Sequence, residues 1–308
     1  MFDVFLQVLP FFAVIGLGYF AGKSGFFPES AAAILTKFVF YFALSAMLFG
    51  FASTQRLVDV LDWEIVQAYL LGSVAVYLLA TIVALVRKRG VEEGAVEAQI
   101  SVVGNVGFLG VPMLALLMGD EALKAVLLVL AVDLFVFGSL IVILITGARD
   151  GRVSPAILKT VGGGLIRNPM IVAIGLGFLW SASGVPVPVA MKSFLDLLGG
   201  AATPGALFAI GASLASKSTE RMVVAGWLSF AKLVLHPLAV AAAAFWMFEI
   251  SDYDRGVMIA AAALPVAGNV YILAQHYGVA PQRASASILI STVISIVTVS
   301  LVIGWVSI

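Results

Sequence analysis

Residues 101–113 read S-V-V-G-N-V-G-F-L-G-V-P-M, and this stretch decides the fold of the chain. It lies in an apolar run long enough to cross a bilayer, yet its three glycines and one proline make it a poor helix former. In a helix interior, glycine costs about 1 kcal/mol and proline about 3 kcal/mol relative to alanine. Because lipid cannot satisfy freed backbone groups, a helix broken at membrane depth must line protein or a water-filled cavity.

A second interrupted stretch occurs in the other half of the chain, where residues 264–271 read L-P-V-A-G-N-V-Y. Paired interrupted membrane helices in corresponding halves are the best sequence indication of a transporter binding site. The sequence therefore predicts a secondary transporter. Four residues are predicted to shape the breaks and their crossing rather than to bind ligand: Gly107, Gly110, Pro112 and Pro265.

The composition is that of an integral membrane protein. Of the 308 residues, 62% are hydrophobic and 11% are charged, and the mean hydropathy is +1.13. In a soluble domain about 25% of the residues are charged. Apolar runs of about 20 residues predict membrane helices rather than the alternating strands of a β-barrel. The balance of 17 basic and 17 acidic residues argues against a nucleic-acid partner, and the absence of cysteine excludes disulfides and thiolate sites.

We predict ten membrane-spanning helices, joined by connections too short for a soluble domain. The first apolar run lacks a basic leader and is too long for a signal peptide, so it is retained as the first span. The two interrupted stretches fall in the fourth and ninth spans. The predicted spans are Val4–Gly22, Ile34–Ser53, Ile65–Val86, Ala95–Met118, Ala122–Thr146, Pro169–Ser183, Val187–Ala215, Met222–Phe248, Gly256–Tyr277 and Ala284–Trp305.

The loop charges predict how these spans are oriented. Twelve lysines and arginines fall on one set of alternate loops, four fall on the opposite set, and Lys232 lies within a span. The side with twelve is predicted to be cytoplasmic, so both termini lie outside a plasma membrane, here a bacterial inner membrane. The twelve residues are Lys23, Lys37, Arg87, Lys88, Arg89, Arg149, Arg152, Lys159, Arg167, Lys217, Arg221 and Arg283.

A weak internal repeat supports the span count. The pentapeptide I-G-L-G-Y at residues 15–19 recurs as I-G-L-G-F at residues 174–178, an offset of 159. Glycine and leucine are common here and match by chance, but the same offset relates Gly25 to Gly184, Gly119 to Gly278 and Lys124 to Arg283. Because five spans are an odd number, the halves must insert with opposite orientation. We expect a first repeat at 1–147, a cytoplasmic linker at 148–168 and an inverted second repeat at 169–308.

Two asparagines follow glycines in the interrupted helices and are the candidate substrate ligands. The amides of Asn105 and Asn269, together with the freed N–H groups and the dipoles of the half-helices, favour a bound anion. Gly104, Gly268 and Tyr271 are expected to complete this site. The alternative is that each amide only satisfies unpaired backbone near the break.

Three ionisable residues lie deep in the predicted spans. A carboxylate at bilayer depth costs about 2.5–3.5 kcal/mol on insertion scales, which makes Asp133 a functional candidate. Lys232 and His236 are four residues apart and therefore share one helix face. One hypothesis is proton coupling or charge compensation during transport. The other is a static ion pair between Asp133 and Lys232, since mutual pairing is the least costly arrangement for two deep charges.

The sequence offers no basis for an enzyme, a metal site or a cofactor. No Ser/His/Asp constellation or metal-ligand spacing is present, and the chain has two histidines. The glycine run at residues 162–164 lacks the Lys-Ser/Thr pair and the strand context of a phosphate-binding loop. We therefore expect neither catalysis nor a prosthetic group.

Four stretches together resemble the auxin efflux carrier family, which includes bacterial malonate-type carriers and plant PIN carriers. They are Gly104–Met113, Leu198–Leu214, Lys232–Pro237 and Leu264–Ala274, and the resemblance covers essentially the whole chain. It implies the ten-helix fold of the bile acid sodium symporters, in which spans four and nine cross near the membrane midplane. It also implies an elevator motion, in which a transport domain slides against a scaffold.

The same resemblance gives Asn105 a role, because this position matches the asparagine that binds the substrate carboxylate in plant relatives. Two positions depart from the family pattern. Ser45 stands where the second span often carries proline, and Val270 stands where plant carriers usually have a second proline. The second departure argues against auxin itself as the substrate.

These observations favour a carrier of small organic anions, such as auxin-like or dicarboxylate substrates, held where the two interrupted helices cross. The alternative is a sodium-coupled symporter with an ion site near the crossing. A channel would need a continuous polar stripe, which the few deep charges do not supply. The substrate, the direction of transport, coupling to H⁺ or Na⁺, and assembly as a homodimer are left open by the sequence.

Overall fold

The computed structural model describes residues 2–150, 162–163, 166–215 and 222–306. Over these residues the chain is helical apart from short turns, and the one β-type pairing is an isolated bridge between Gly104 and Val266. The predicted all-α class is confirmed. Most of the predicted linker 148–168 lies outside the described residues, as do Arg152, Lys159, Lys217 and Arg221 of the charge analysis.

We number the helices of the described part of the chain in order, treating a helix that continues through a wide turn as one element. The helices are α1 Phe2–Lys23, α2 Glu29–Thr54, α3 Trp63–Val86, α4 Val91–Val102, α5 Val106–Met118, α6 Asp120–Arg149, α7 Pro169–Ala182, α8 Val189–Leu214, α9 Met222–Trp246, α10 Asp252–Ala262, α11 Gly268–Tyr277 and α12 Pro281–Val306.

Six of these helices, α2, α3, α6, α8, α9 and α12, are long and apolar enough to cross a membrane. Each has at least 24 residues, which at 1.5 Å per residue exceeds the roughly 30 Å hydrocarbon core of a bilayer. Shorter apolar helices occur at Leu9–Lys23 within α1, in α5 and in α7. The protein is therefore an integral membrane protein with an all-helical fold, and the count of ten spans stays a prediction.

The two interrupted stretches are breaks in the structure, and they face each other. Helix α4 ends at Val102 before α5 begins at Val106, and α10 ends at Ala262 before α11 begins at Gly268. The backbone N–H of Asn105 donates to the carbonyl of Pro265 at 2.8 Å, and the N–H of Ala267 donates to the carbonyl of Val103 at 3.1 Å. Each break thus satisfies backbone groups of the other in a region where lipid offers no partner.

The helices form two packing groups. Helices α1, α2, α7 and α8 pack extensively on one another, and helices α3 to α6 pack with α9 to α12. Contacts between the groups are sparse and lie mainly between α1 and α12 and between α8 and α5. We call these the four-helix group and the eight-helix group. Both breaks belong to the eight-helix group, and the one in α4–α5 lies at its boundary with α8.

Glycine allows backbone contact at the helix crossings inside both groups. In the four-helix group, a β-carbon at Gly211 of α8 would overlap the carbonyl of Ile15 on α1. In the eight-helix group, a β-carbon at Gly72 of α3 would lie 2.6 Å from the Cα of Val240 on α9. Larger residues would force these helices apart, so each group is held at close range by van der Waals contact between backbones.

Four glycines in turns have a left-handed backbone that disfavours any residue with a β-carbon. Their φ angles are 77° at Gly25, 70° at Gly184, 92° at Gly119 and 68° at Gly278. These are the two glycine pairs that the sequence relates by an offset of 159. The turns after α1 and α7, and those after α5 and α11, therefore each contain a glycine of positive φ, although ψ is 165° at Gly119 and 25° at Gly278.

Candidate substrate and charge site at the paired helix breaks

Asn105 lies at the break between α4 and α5 with its backbone fully used. Its carbonyl accepts from the N–H groups of Leu109 and Gly110, both at 3.0 Å, and its own N–H donates to Pro265. The residue is 8% exposed. No hydrogen bond of its side-chain amide is found among the described residues, and the amide atoms are not among the fully buried atoms that lack a partner. The amide is therefore available to a ligand at the start of a helix.

Asn269 has a different environment, although it also lies at the start of a half-helix. It is the second residue of α11, and both Asn269 and Gly268 are exposed. Tyr271 is partly buried on the same half-helix. The two asparagines predicted as partners thus occupy different positions, one as the residue before α5 and the other inside the first turn of α11.

The glycines of the first break provide room for its neighbours. A β-carbon at Gly110 would lie 2.6 Å from Leu264 Cδ1 of the second break, and one at Gly107 would lie 3.1 Å from Met170 of α7. At Gly104 it would lie 3.3 Å from the Nζ atom of Lys232. Gly107 and Gly110 thus lie against apolar neighbours, whereas Gly104 borders a buried charge.

Lys232 is fully buried and ends against the second break. Its Nζ atom donates to the carbonyl of Ala262, the last residue of α10, and lies 3.1 Å from Nδ1 of His236. The Nε2 atom of His236 lies 2.8 Å from Oγ of Ser73 on α3. When Lys232 is an ammonium, which only donates hydrogen bonds, Nδ1 accepts from it and Nε2 donates to Ser73; the other tautomer would instead donate from Nδ1 to the carbonyl of Ala262 at 3.2 Å.

Asp133 is also buried, and among the described residues no salt bridge joins it to Lys232. Its Oδ1 atom accepts from the hydroxyl of Tyr69 at 2.8 Å, while its Oδ2 atom is buried without a hydrogen-bond partner. The backbone of Gly104 lies beside this carboxylate. Two of the three ammonium hydrogens face Ala262 and His236, so a direct contact between Lys232 and Asp133 is absent among the described residues, and the choice between charge balance and coupling stays a prediction.

Both buried charges lie in wide helical turns of the π type, at Asp133–Phe137 in α6 and Ala231–Leu235 in α9. Turns of this type inside α-helices are frequent at functional sites, because the extra residue re-aims nearby side chains. The sequence analysis identified the two charged residues but not these turns. It also missed Tyr69 and Ser73, although these two residues have the same i, i+4 spacing on α3 as Lys232 and His236 on α9.

A cavity of about 900 Å³ opens between the two packing groups. It is bounded by α2 and α8 on one side and by α5 and the start of α6 on the other, and it extends to Pro112. Asn105 does not line it, but it precedes Pro112 by seven residues, or about 10 Å along a helix. The charged residues of its wall are Asp59, Asp120, Glu121, Lys124, Lys192, Asp196 and Asp254.

Each end of the eight-helix group carries an ion network that the sequence analysis did not predict. At one end, Lys124 of α6 contacts Asp62 at 3.2 Å and Asp254 of α10 at 3.3 Å. At the other end, Arg283 of α12 contacts Glu93 of α4 at 3.1 Å and also the fully buried Glu97. One network thus joins the start of α10 to α6, and the other joins the start of α4 to α12.

The apolar helices, the paired breaks and the buried polar cluster define a membrane transporter. The model of the family described as "Membrane transport protein" matches residues 3–303. The chain belongs to this family, to which the auxin efflux carriers also belong, and the predicted family is confirmed. The family and the names of relatives indicate a transporter rather than an enzyme.

Relatives match along nearly the whole chain. A protein of Rhizobium meliloti named "Putative malonate transporter" is 29% identical over 95% of this chain and 92% of its own length. The "Uncharacterized transporter YfdV" of Escherichia coli K12 is 26% identical over 96% of this chain and 95% of its own. The mouse "Lysosomal cholesterol signaling protein" is 26% identical over 95% of this chain and 36% of its own.

Proposed function

We propose that this protein is a secondary carrier of small organic anions and that it binds its substrate at the break between α4 and α5. The observation that carries the proposal is the side-chain amide of Asn105, a residue 8% exposed at the start of α5, for which no hydrogen-bond partner is found among the described residues. A helix N-terminus and an amide N–H both favour a carboxylate. One such hydrogen bond to a charged group contributes about 1.5–3 kcal/mol.

A dicarboxylate is the substrate class that we favour. The relative from Rhizobium meliloti is named as a malonate transporter, and Val270 departs from the plant pattern at the second break. A second carboxylate would lie near Gly268 and Asn269, whose exposure leaves their polar groups open to a ligand. Auxin-like monocarboxylates would use the Asn105 side alone.

Alternating access would come from movement of the eight-helix group against the four-helix group. Sparse contacts between the groups and the cavity at their boundary support such an elevator motion. The substrate would enter through this cavity and pass along α5 to Asn105. The tight backbone contacts inside each group also favour movement of the whole group as a rigid unit.

We also propose that ten spans form two inverted repeats with both termini outside the bacterial inner membrane. The glycines of positive φ at an offset of 159 support the repeat, and the loop charges support the orientation. Single cysteines placed at positions 92 and 151 of this cysteine-free chain should be protected from an impermeant thiol reagent added outside cells. Labelling of both from outside would reverse the orientation.

Sodium-coupled symport is the second candidate function, and one atom favours it. The Oδ2 atom of Asp133 is a buried carboxylate oxygen without a partner beside the break, which is the kind of ligand that a hard cation selects. Within the first candidate, Asp133, Lys232 and His236 instead serve proton coupling or charge compensation. Uptake into liposomes with imposed Na⁺ or H⁺ gradients, each applied alone, distinguishes these roles.

The experiment that tests the proposed function is a thermal-shift screen of the purified protein with malonate, succinate, benzoate and indole-3-acetate. A true ligand raises the Tm in proportion to the logarithm of its concentration above Kd. We expect a dicarboxylate to stabilise the wild type and to lose most of that effect in Asn105→Ala. Equal shifts in the two proteins would place the substrate elsewhere.

A further inference from the structure

The carbonyl of Ala262 at the second break has an unusual partner. The last carbonyls of a helix lack intrahelical donors and carry the negative end of the helix dipole. Ala262 ends α10, and its carbonyl accepts from the ammonium of Lys232. Lys232 precedes Ala262 by 30 positions and belongs to α9. Nδ1 of His236 lies 3.2 Å from the same carbonyl. A positive charge is therefore held at the C-terminal end of α10.

This ammonium occupies an enclosed position that resembles a small cation site. It contacts a carbonyl oxygen and a neutral ring nitrogen, and its side chain has no exposed surface. Gly104 of the first break closes the site, because a β-carbon there would lie 3.3 Å from Nζ and 3.4 Å from Cε. Both breaks thus lie against one buried positive charge that is part of the chain itself.

The counter-charge is close but separate. Asp133 lies beside Gly104 with one oxygen bound to Tyr69 and the other free of hydrogen bonds. A buried carboxylate and a buried ammonium near the same glycine leave the cluster neutral without closing into a contact pair. Such an arrangement needs no additional monovalent cation for charge balance before an anion binds.

We propose that Lys232 is a tethered cation that fills the place of an exchangeable monovalent ion at the paired breaks. The ammonium holds the C-terminal end of α10 and the backbone of Gly104 in register, so substrate binding does not require Na⁺ or K⁺. Removal of the side chain beyond Cβ vacates a site, lined by the Ala262 carbonyl and His236 Nδ1, for Na⁺ or a primary alkylammonium ion. This inference refines the proposed function, and the part that concerns cation binding does not depend on any substrate.

The direct test is thermal unfolding of purified Lys232→Ala without substrate. The Tm is compared in choline chloride, NaCl and n-propylammonium chloride at equal ionic strength. Propylammonium replaces the deleted Cγ, Cδ, Cε and Nζ atoms. We expect a low Tm in choline and a saturable rise of at least about 3 °C with Na⁺ or propylammonium. Wild type and Lys37→Ala, which removes an exposed lysine of α2, should show the same Tm in all three salts.

Lys232→Met provides a second variant, because its side chain fills the space without a charge. We expect it to be less stable than wild type and insensitive to either cation. A Lys232→Ala protein that folds but has the same Tm in all three salts would overturn the inference.

Wild-type protein supplies an independent outcome if Lys232→Ala does not fold. Binding of the anion that most raises the Tm should differ by less than twofold among Na⁺, K⁺ and choline. A dependence on Na⁺ of tenfold or more would overturn the tethered cation. If no anion binds under any condition, the proposed substrate site fails, while the cation response of Lys232→Ala still decides the role of the lysine.

Discussion

The two helix breaks solve the same backbone problem and differ in chemistry. Each break pairs its freed backbone groups with the other through the hydrogen bonds of Asn105 and Ala267. At the first break, the amide of Asn105 has no hydrogen-bond partner among the described residues, and the Asp133 carboxylate lies beside the backbone of Gly104. At the second break, the carbonyl of Ala262 is closed by Lys232, and the N–H of Val266 donates to Oγ of Ser291 at 3.1 Å. We therefore expect the substrate at the first break, whereas the second break is held by the side chain of Lys232.

The largest effect is expected from removal of the charge at the second break. Lys232→Met leaves Asp133 without a compensating charge and should lower the free energy of unfolding by about 3–5 kcal/mol. The double variant Asp133→Asn with Lys232→Met should recover much of that loss. Chemical denaturation in detergent measures both. A double variant no more stable than Lys232→Met would show that the two charges are independent.

The same double variant separates charge compensation from proton coupling. If the cluster couples transport to protons, the folded double variant loses the response of uptake to an imposed pH difference. If the charges only balance each other, transport by the double variant is normal. Wild-type uptake that is unchanged by any pH difference would exclude proton coupling.

The next effect is on substrate binding, and it compares the two asparagines directly. Asn105→Ala should weaken binding by roughly ten- to a hundred-fold, the equivalent of one hydrogen bond to a charged group. Asn269→Ala should weaken it less, because water competes at an exposed amide. Titration calorimetry with the same anion measures the ratio. Equal affinities in wild type and both variants would reduce the asparagines to structural residues.

A smaller effect is expected from crowding the boundary between the breaks. Gly104→Ala places a methyl group 3.3 Å from Lys232 Nζ and should cost about 1–3 kcal/mol of unfolding free energy. Gly268→Ala is the matched control, since nothing lies within 4 Å of a β-carbon there. Equal stabilities of the two variants would mean that the lysine moves aside freely.

The smallest effect concerns the hydroxyl that satisfies the second break. Ser291→Ala leaves the N–H of Val266 without its partner and should cost about 1–3 kcal/mol, at the lower end where water enters. Ser300→Ala, which removes a local bond to the Ile296 carbonyl in the same helix, should be nearly neutral. The free energies of unfolding of the two variants are compared in the same detergent. A larger loss for Ser300→Ala than for Ser291→Ala would contradict the role given to Ser291.

Local sequence chemistry was enough to find the breaks. Glycine and proline disfavour helix wherever they occur, so the interruptions at residues 103–105 and 263–267 follow from residue type alone. Their mutual pairing does not follow, because it joins segments about 160 residues apart. The deep charges of Asp133 and Lys232 were likewise visible, since apolar surroundings make them conspicuous.

The partners of those charges could not be predicted from residue type. Lys232 is bound by a backbone carbonyl. Every residue carries such a group, so residue type does not distinguish Ala262 from any other position as its partner. Nothing in the sequence distinguishes Tyr69 and Ser73 from other residues of a membrane helix. Their roles appear only in the fold, where α3 packs against α9. Glu97 was missed because it lies close to the predicted start of the fourth span, where a charge is expected to meet water.

We expect the carboxylate of the substrate to bind at the first break. A structure of the complex is the test of this expectation. The protein should be solved with the organic anion that gives the largest thermal shift, alongside the protein without anion. Density for a carboxylate oxygen within about 3.2 Å of the Asn105 side-chain nitrogen is the predicted result. Density confined to the outer cavity, or to Asn269 with the Asn105 amide unoccupied, would contradict the account.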